Sequence, residues 1–113
     1  MMTDERTQIA DEVRRLHRAH HFLLDEAEGC TEAPTLWDLV DHALLWRVFL
    51  GDVLEPDVDV EILHEVIVVR GAQDVGGPPR CHALLPVPAP FTVRRHEVHF
   101  ISGVLEIRFE RVR

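Results

Sequence analysis

Residues 98–108 constrain the fold of this chain most, because they alternate between two faces around a Ser-Gly break. Val98 and Phe100 share one face before the break, and Leu105 and Ile107 share one face after it. A period of two residues interrupted by Ser-Gly is typical of two strands joined by a turn. Gly103 can adopt a positive φ, which a residue with a Cβ resists. The segment therefore predicts strand, turn and strand in a β-rich domain.

Length and charge narrow the class of protein. The chain has 113 residues, which is room for one domain with one core, and 46% of them are apolar. The formal net charge is −8, from 20 acidic and 12 basic residues, and every basic residue is Arg. An acidic chain without basic clusters does not favour phosphate backbones, so we expect no nucleic-acid partner.

Cysteine content and hydropathy predict a cytoplasmic protein. Cys30 and Cys81 are too few for a disulfide scaffold and lack the C-x-x-C spacing, so we expect two buried thiols in a reducing cytosol. The N-terminal residues are polar and acidic, and no apolar run approaches the ~20 residues that span a bilayer. We expect no membrane partner.

The first 28 residues have helical periodicity. Residues 3–28 predict an amphipathic helix, whose apolar stripe consists of Ile9, Val13, Leu16, His20, Leu23, Leu24 and Ala27. Phe22, Leu23 and Leu24 are adjacent, so they cannot all point into one core. Exposed apolar surface here would suit binding of unfolded proteins. The alternative is that the helix only packs on its own domain or on a partner's helix.

The remainder of the chain is predicted to form short strands. Residues 30–34 are expected to connect the helix to the strands, and residues 36–50 fit either a helix or two strands. Residues 57–62 alternate strictly, which predicts that Val58, Val60 and Ile62 point inward. Further strands are predicted at 66–70, 81–87, 98–101 and 104–112, with a crossing turn at 91–97. About seven short strands predict a mainly β fold, a two-sheet immunoglobulin-like sandwich at 35–113 that follows a helical arm at 1–34.

Three segments, in order, resemble the alpha-crystallin domain of small heat-shock proteins. Residues 36–62 are similar to the family's paired early strands, turn and acid-valine strand, and residues 66–71 to its strand ending in Arg-Gly. Ser102, Gly103, Val104 and Leu105 resemble the Asn-Gly-Val-Leu part of the family signature, with Val98 at its Ala position. The resemblance covers about two thirds of the chain and implies strands at 36–50.

The chain also departs from the family pattern. Residues 72–80 are too short for the strand that bacterial and plant members exchange between subunits, so we expect no swapped dimer of that kind. Cys81 stands where members carry an Arg, and Arg80 precedes it. No Ile-x-Ile/Val tail follows the last strand, so the chain is expected to offer a groove without a tail to fill it.

The resemblance implies an ATP-independent chaperone that holds unfolding proteins and forms a homodimer or small oligomer. It implies a groove bordered by residues 57–62 and 98–101, so the expected binding residues are Val58, Val60, Ile62, Val98 and Phe100, together with Phe22, Leu23 and Leu24. The alternative is a protein-interaction or assembly adaptor on the same fold, whose groove takes a tail from a partner protein.

No nucleophile triad, phosphate loop or carboxylate pair is evident, so we expect neither an enzyme nor a cofactor. His17, His20 and His21 have the i, i+3, i+4 spacing that can hold Zn²⁺ or Ni²⁺ on a helix. Without a Cys or carboxylate completing the set, interfacial or half-buried histidines are the expectation.

Overall fold

The computed structural model describes residues 4–24, 30–53, 57–72 and 80–112. Within these residues there is one α-helix, α1 (Glu5–His20), followed by a 3-10 turn at His21–Leu23. The strands are β1 (Thr31–Glu32), β2 (Thr35–Val40), β3 (Ala43–Phe49), β4 (Val58–Leu63), β5 (Val66–Gly71), β6 (Cys81–Pro86), β7 (Phe91–Ile101) and β8 (Val104–Arg111). No described helix has both the length and the apolar character needed to cross a membrane.

Helix α1 is shorter than the predicted helix at 3–28. Its N-terminus is capped by Asp4, whose carboxylate accepts a hydrogen bond from the Arg6 amide at 2.7 Å. After the 3-10 turn, Leu24 is extended (φ −75°, ψ 137°) and its side chain is buried. This extended backbone ends the helical conformation and places Leu24 in a cluster with residues of sheet A. The end of the prediction, 25–28, lies outside the described residues.

Two four-stranded sheets form a sandwich, as the sequence predicts. Sheet A has the order β1-β6-β5-β4 and sheet B the order β2-β3-β8-β7. Residues 36–50 fold as the β2–β3 hairpin, with Trp37 opposite Trp46, so the strand alternative is correct. The division into an arm at 1–34 and a sandwich at 35–113 stays a prediction.

Two predictions about connections are wrong. Residues 91–97 are not a crossing turn but the first half of the 11-residue strand β7, which pairs with β8 across an irregularity between Phe91 and His96. The connector at 30–34 contains β1, because the Thr31 and Ala33 amides donate to the carbonyls of Arg80 and His82. Both strands depend on hydrogen bonds to distant partners, which leave no periodic signal in a short segment.

The main core fills the space between the sheets. Its buried members include Leu44, Trp46, Val48, Ile67, Val69, Ala83, Leu85, Leu105, Ile107 and Phe109. Trp46 also crosses the core, since its indole N–H donates to the buried carbonyl of Pro86 at 2.9 Å.

A second cluster lies on the outer face of sheet A, beneath α1. It consists of Leu16 of α1, Leu24 just after the 3-10 turn, and Val66, Val68 and Leu84 from β5 and β6. The alternate residues of β5, Ile67 and Val69, belong to the main core. Strand β5 is therefore buried on both faces, which explains its unbroken apolar run.

Candidate functional site

The described structure leaves one side of the sandwich open. Only Ala33 and Pro34 separate β1 from β2, so the edges of the two sheets adjoin there. Near these adjoining edges, the guanidinium of Arg6 in α1 donates a hydrogen bond to the carboxylate of Asp38 in β2 at 2.7 Å. In sheets aligned this way, β4 and β7 are the opposite edges, and each has one paired neighbour among the described residues.

Five predicted site residues line this open side, and we call them the open-edge strip: Val58, Val60, Ile62, Val98 and Phe100. Their cross-strand partners Val69, Ile67, Ile107 and Leu105, together with Gly71 opposite Val58, belong to the inward rows of the two sheets. The strip residues share that inward face, because directly opposed residues of antiparallel strands project to the same side.

Burial within the strip is uneven. Val58, Val60 and Phe100 are half-buried and pack against the main core. Ile62 and Val98 are 46% and 45% exposed. The prediction that Ile62 faces inward is correct for its face. Its side chain is nevertheless not buried, because β4 is an edge strand of sheet A among the described residues. The strip is therefore an apolar surface that is continuous with the core.

The signature turn serves the architecture. Ser102 and Gly103 both have positive φ, +50° and +79°, and join β7 to β8. This conformation at both central positions matches the two-residue hairpin turn that follows the twist of the strands. Leu105 is 2% exposed and Val104 half-buried. The turn sets the register that places Val98 and Phe100 on the open side.

The three apolar residues after α1 have different surroundings. Phe22 is 77% exposed, Leu23 is half-buried, and Leu24 is buried in the second cluster. Leu24 therefore does not offer apolar surface as expected, because its extended backbone turns the side chain toward sheet A. A role of these residues in binding stays a prediction.

Sequence reasoning missed a cavity between α1 and the β2–β3 hairpin. Its volume is about 600 Å³, and its lining includes Arg6, Val13, Arg18, Leu36, Trp37 and Trp46. The guanidinium carbon of Arg6 lies over the Trp37 ring, 4.9 Å from the ring centroid. The hydrogen bond that Arg6 donates to Asp38, and secondarily the one from the Leu39 amide, lowers the pKa of the Asp38 carboxyl. The feature that could have indicated this cavity is Leu36, an exposed apolar residue directly before Trp37 in the edge strand β2.

The three helix histidines do not converge on one point. His17 Nε2 lies 3.2 Å from Glu32 Oε1, whereas His20 Nδ1 lies 2.9 Å from the Leu16 carbonyl. The rings of His17 and His21 are tilted, with centroids 5.5 Å apart. Within 4–24, 30–53, 57–72 and 80–112, no three His, Cys, Asp or Glu side chains are arranged to hold a metal ion.

Comparison with known proteins finds likeness in structure only. No protein-family model and no curated protein matches the sequence. HSP18.5 from E. histolytica superposes with a TM-score of 0.62 at 13% identity, covering 73% of this chain and 89% of that one. Heat shock protein 16.0 from Schizosaccharomyces pombe superposes with a TM-score of 0.65 at 16% identity, covering 88% and 82%.

A third similar structure extends over nearly the whole chain. A point mutant of hsp14.1 from Sulfolobus solfatataricus P2 superposes with a TM-score of 0.58 at 14% identity, covering 99% of this chain and 95% of that one. The expectation from the sequence resemblance is therefore confirmed at the level of architecture: this chain has the alpha-crystallin-type fold of small heat-shock proteins.

Proposed function

We propose that this protein is an ATP-independent chaperone of the small heat-shock type, which holds unfolding proteins in the cytoplasm as a homodimer or small oligomer. The observation that carries the proposal is the open-edge strip, an apolar surface between two strands that have one neighbour each among the described residues. The fold shared with small heat-shock proteins supports it.

The chemistry of an unfolding protein matches this surface. Unfolded chains present apolar side chains and unpaired backbone groups. An extended client segment can add to the edge of β4 or β7 through main-chain hydrogen bonds, and its alternate side chains then meet the strip. Such binding tolerates many sequences, because backbone hydrogen bonds do not depend on side-chain identity.

Phe22 supplies a second contact at a different place. Its ring is 77% exposed in the 3-10 turn that follows α1, two residues before the buried Leu24. A client bound at both the strip and Phe22 would dissociate more slowly than from either one, because the second contact forms within the same complex.

Suppression of aggregation tests the proposal. A heat-labile enzyme is warmed with a several-fold molar excess of this protein, and light scattering is followed. We expect suppression by the unaltered chain and a loss of most of it in the double variant Ile62→Ser, Val98→Ser. Leu36→Ser is the matched control, because Leu36 is 53% exposed but lies on β2, away from the strip.

Size-exclusion chromatography with light scattering separates the chaperone from an adaptor. A chaperone recruits the denatured enzyme into a larger complex, whereas a monodisperse species that ignores it contradicts the proposal. Equal suppression by the strip variant and the Leu36→Ser control would also contradict it. Circular dichroism of each variant confirms that the sandwich is intact.

A further inference from the structure

Cys30 and His82 form a thiol–imidazole pair beside β1. The Cys30 Sγ lies 3.1 Å from His82 Nδ1. His82 is 6% exposed and is the one buried polar or charged residue in the described part of the chain. Cys30 and Cys81 are both half-buried, so the expectation of two buried thiols is wrong. An imidazole nitrogen at this distance can accept the thiol proton. Because Cys30 is only half-buried, small reagents can also approach it.

Cys81 has a different environment, although it precedes His82. In β1 and β6, Thr31 pairs with Cys81 and Glu32 with His82. Because successive strand residues project to opposite faces, Cys81 and His82 point away from each other. The Cys81 Sγ lies on the inner side, 3.9 Å from the Gly71 carbonyl. Burial, and secondarily the charge of Cys30, raises the pKa of the Cys81 thiol.

Charged residues of both signs are the neighbours of His82 in the strand register and in the sequence. Glu32 on β1 lies beside His82 and contacts His17 of α1, and Arg80 immediately precedes β6. Arg70 on β5 is directly opposite His82, and its guanidinium donates to Glu61 at 3.1 Å. The pair therefore lies on the outer face of sheet A, in the same rows as Glu32 and Arg70.

We propose that Cys30 is a redox modification site, at which its thiolate forms a mixed disulfide with low-molecular-weight disulfides of the glutathione type. His82 is the base that accepts the thiol proton. Cys81 is not the internal partner, because it lies on the other face of β6.

The exchange is balanced in atoms and electrons. His82 Nδ1 takes the proton from the Cys30 thiol, and the thiolate attacks one sulfur of the small disulfide. A new sulfur–sulfur bond forms at Cys30 while the original one breaks. The departing sulfur is reduced to a thiolate, which takes up a proton from the imidazolium or from water. The formal oxidation state of the Cys30 sulfur rises by one unit and that of the departing sulfur falls by one unit, while the attacked sulfur is unchanged.

The rate of alkylation by iodoacetamide, measured against pH by mass spectrometry, tests the pair on the full chain. Cys81→Ser isolates Cys30, and Cys30→Ser isolates Cys81. We expect Cys30 to react about tenfold faster than Cys81 at pH 7, with a rate midpoint below the ~8.5 of an ordinary thiol. With oxidised glutathione, Cys81→Ser forms one adduct and Cys30→Ser forms none over the same time.

The role of the imidazole is tested in the double variant Cys81→Ser, His82→Gln. Its Cys30 reaction should slow about tenfold at pH 7 and its midpoint should move toward ~8.5. A midpoint for Cys30 at or above ~8.5 in Cys81→Ser overturns the proposal, and this measurement leaves His82 in place. An oxidised chain that carries a Cys30–Cys81 bond instead of an adduct also overturns it.

Discussion

Gly103 brings the turn between β7 and β8 into direct contact with the turn at Gly51. Its φ is +79°, and a Cβ added there would lie 2.1 Å from the Gly51 carbonyl oxygen. The Gly103 carbonyl in turn accepts a hydrogen bond from the Leu50 amide at 2.7 Å. The sequence predicts the positive φ from the Ser-Gly break, but the contact with Gly51 arises only in the folded chain.

Replacing Gly103 by Ala should destabilise the protein by more than about 2 kcal/mol, because the strain of positive φ is joined by a backbone clash. Gly51→Ala is the matched control, since Gly51 also has positive φ (+68°) but its added Cβ meets nothing within 4 Å. The control should lose only about 1 kcal/mol. Urea unfolding measures both, and equal losses would show that the contact between the turns contributes nothing.

At the scale of the element, α1 is held to sheet A by a few buried side chains. Leu16 is 2% exposed among Val66, Val68 and Leu84, whereas Phe22 at the end of the helical segment is 77% exposed. Exposed ion pairs such as that between Arg15 and Glu12 add little to stability. The apolar contact therefore dominates the docking of the helix.

Leu16→Ala should lower the free energy of unfolding by about 2–5 kcal/mol, the range for buried Leu truncation. Phe22→Ala should change it by no more than about 0.5 kcal/mol, because the ring makes little buried contact. Thermal unfolding followed by circular dichroism compares them. A Leu16→Ala protein as stable as Phe22→Ala would mean that α1 does not dock on sheet A in solution.

Across the whole molecule, Trp46 joins the two sheets. It belongs to β3 of sheet B, is 3% exposed, and donates its indole N–H to the carbonyl of Pro86, the last residue of β6 in sheet A. This hydrogen bond lies within the apolar core, where an unsatisfied carbonyl is costly.

Trp46→Phe should destabilise the protein by about 1–3 kcal/mol, because it leaves the Pro86 carbonyl without its donor and removes ring volume. Trp37→Phe is the comparison, since Trp37 is half-buried on the edge strand β2 and should lose less than about 1 kcal/mol. Denaturant titration gives both values. The reverse order of stability would contradict a structural role for the cross-sheet bond.

Local pattern determined much of the architecture. The alternation at 57–62 and 104–112, the Ser-Gly break and the stripe of Ile9, Val13 and Leu16 each predict an element that the structure contains. These predictions succeed because a period of two or 3.6 residues records which side of an element is apolar. The resemblance to the alpha-crystallin domain resolved the ambiguity of residues 36–50 in favour of strands, which the structure contains.

Only the tertiary structure decided what covers each apolar side. It placed Leu24 against sheet A and left Phe22 exposed, paired β1 with β6, extended β7 back to Phe91, and brought Cys30 to His82. Each outcome depends on a partner from a distant part of the chain. Periodicity specifies the face that a residue occupies, whereas burial and side-chain contacts depend on which element packs over that face.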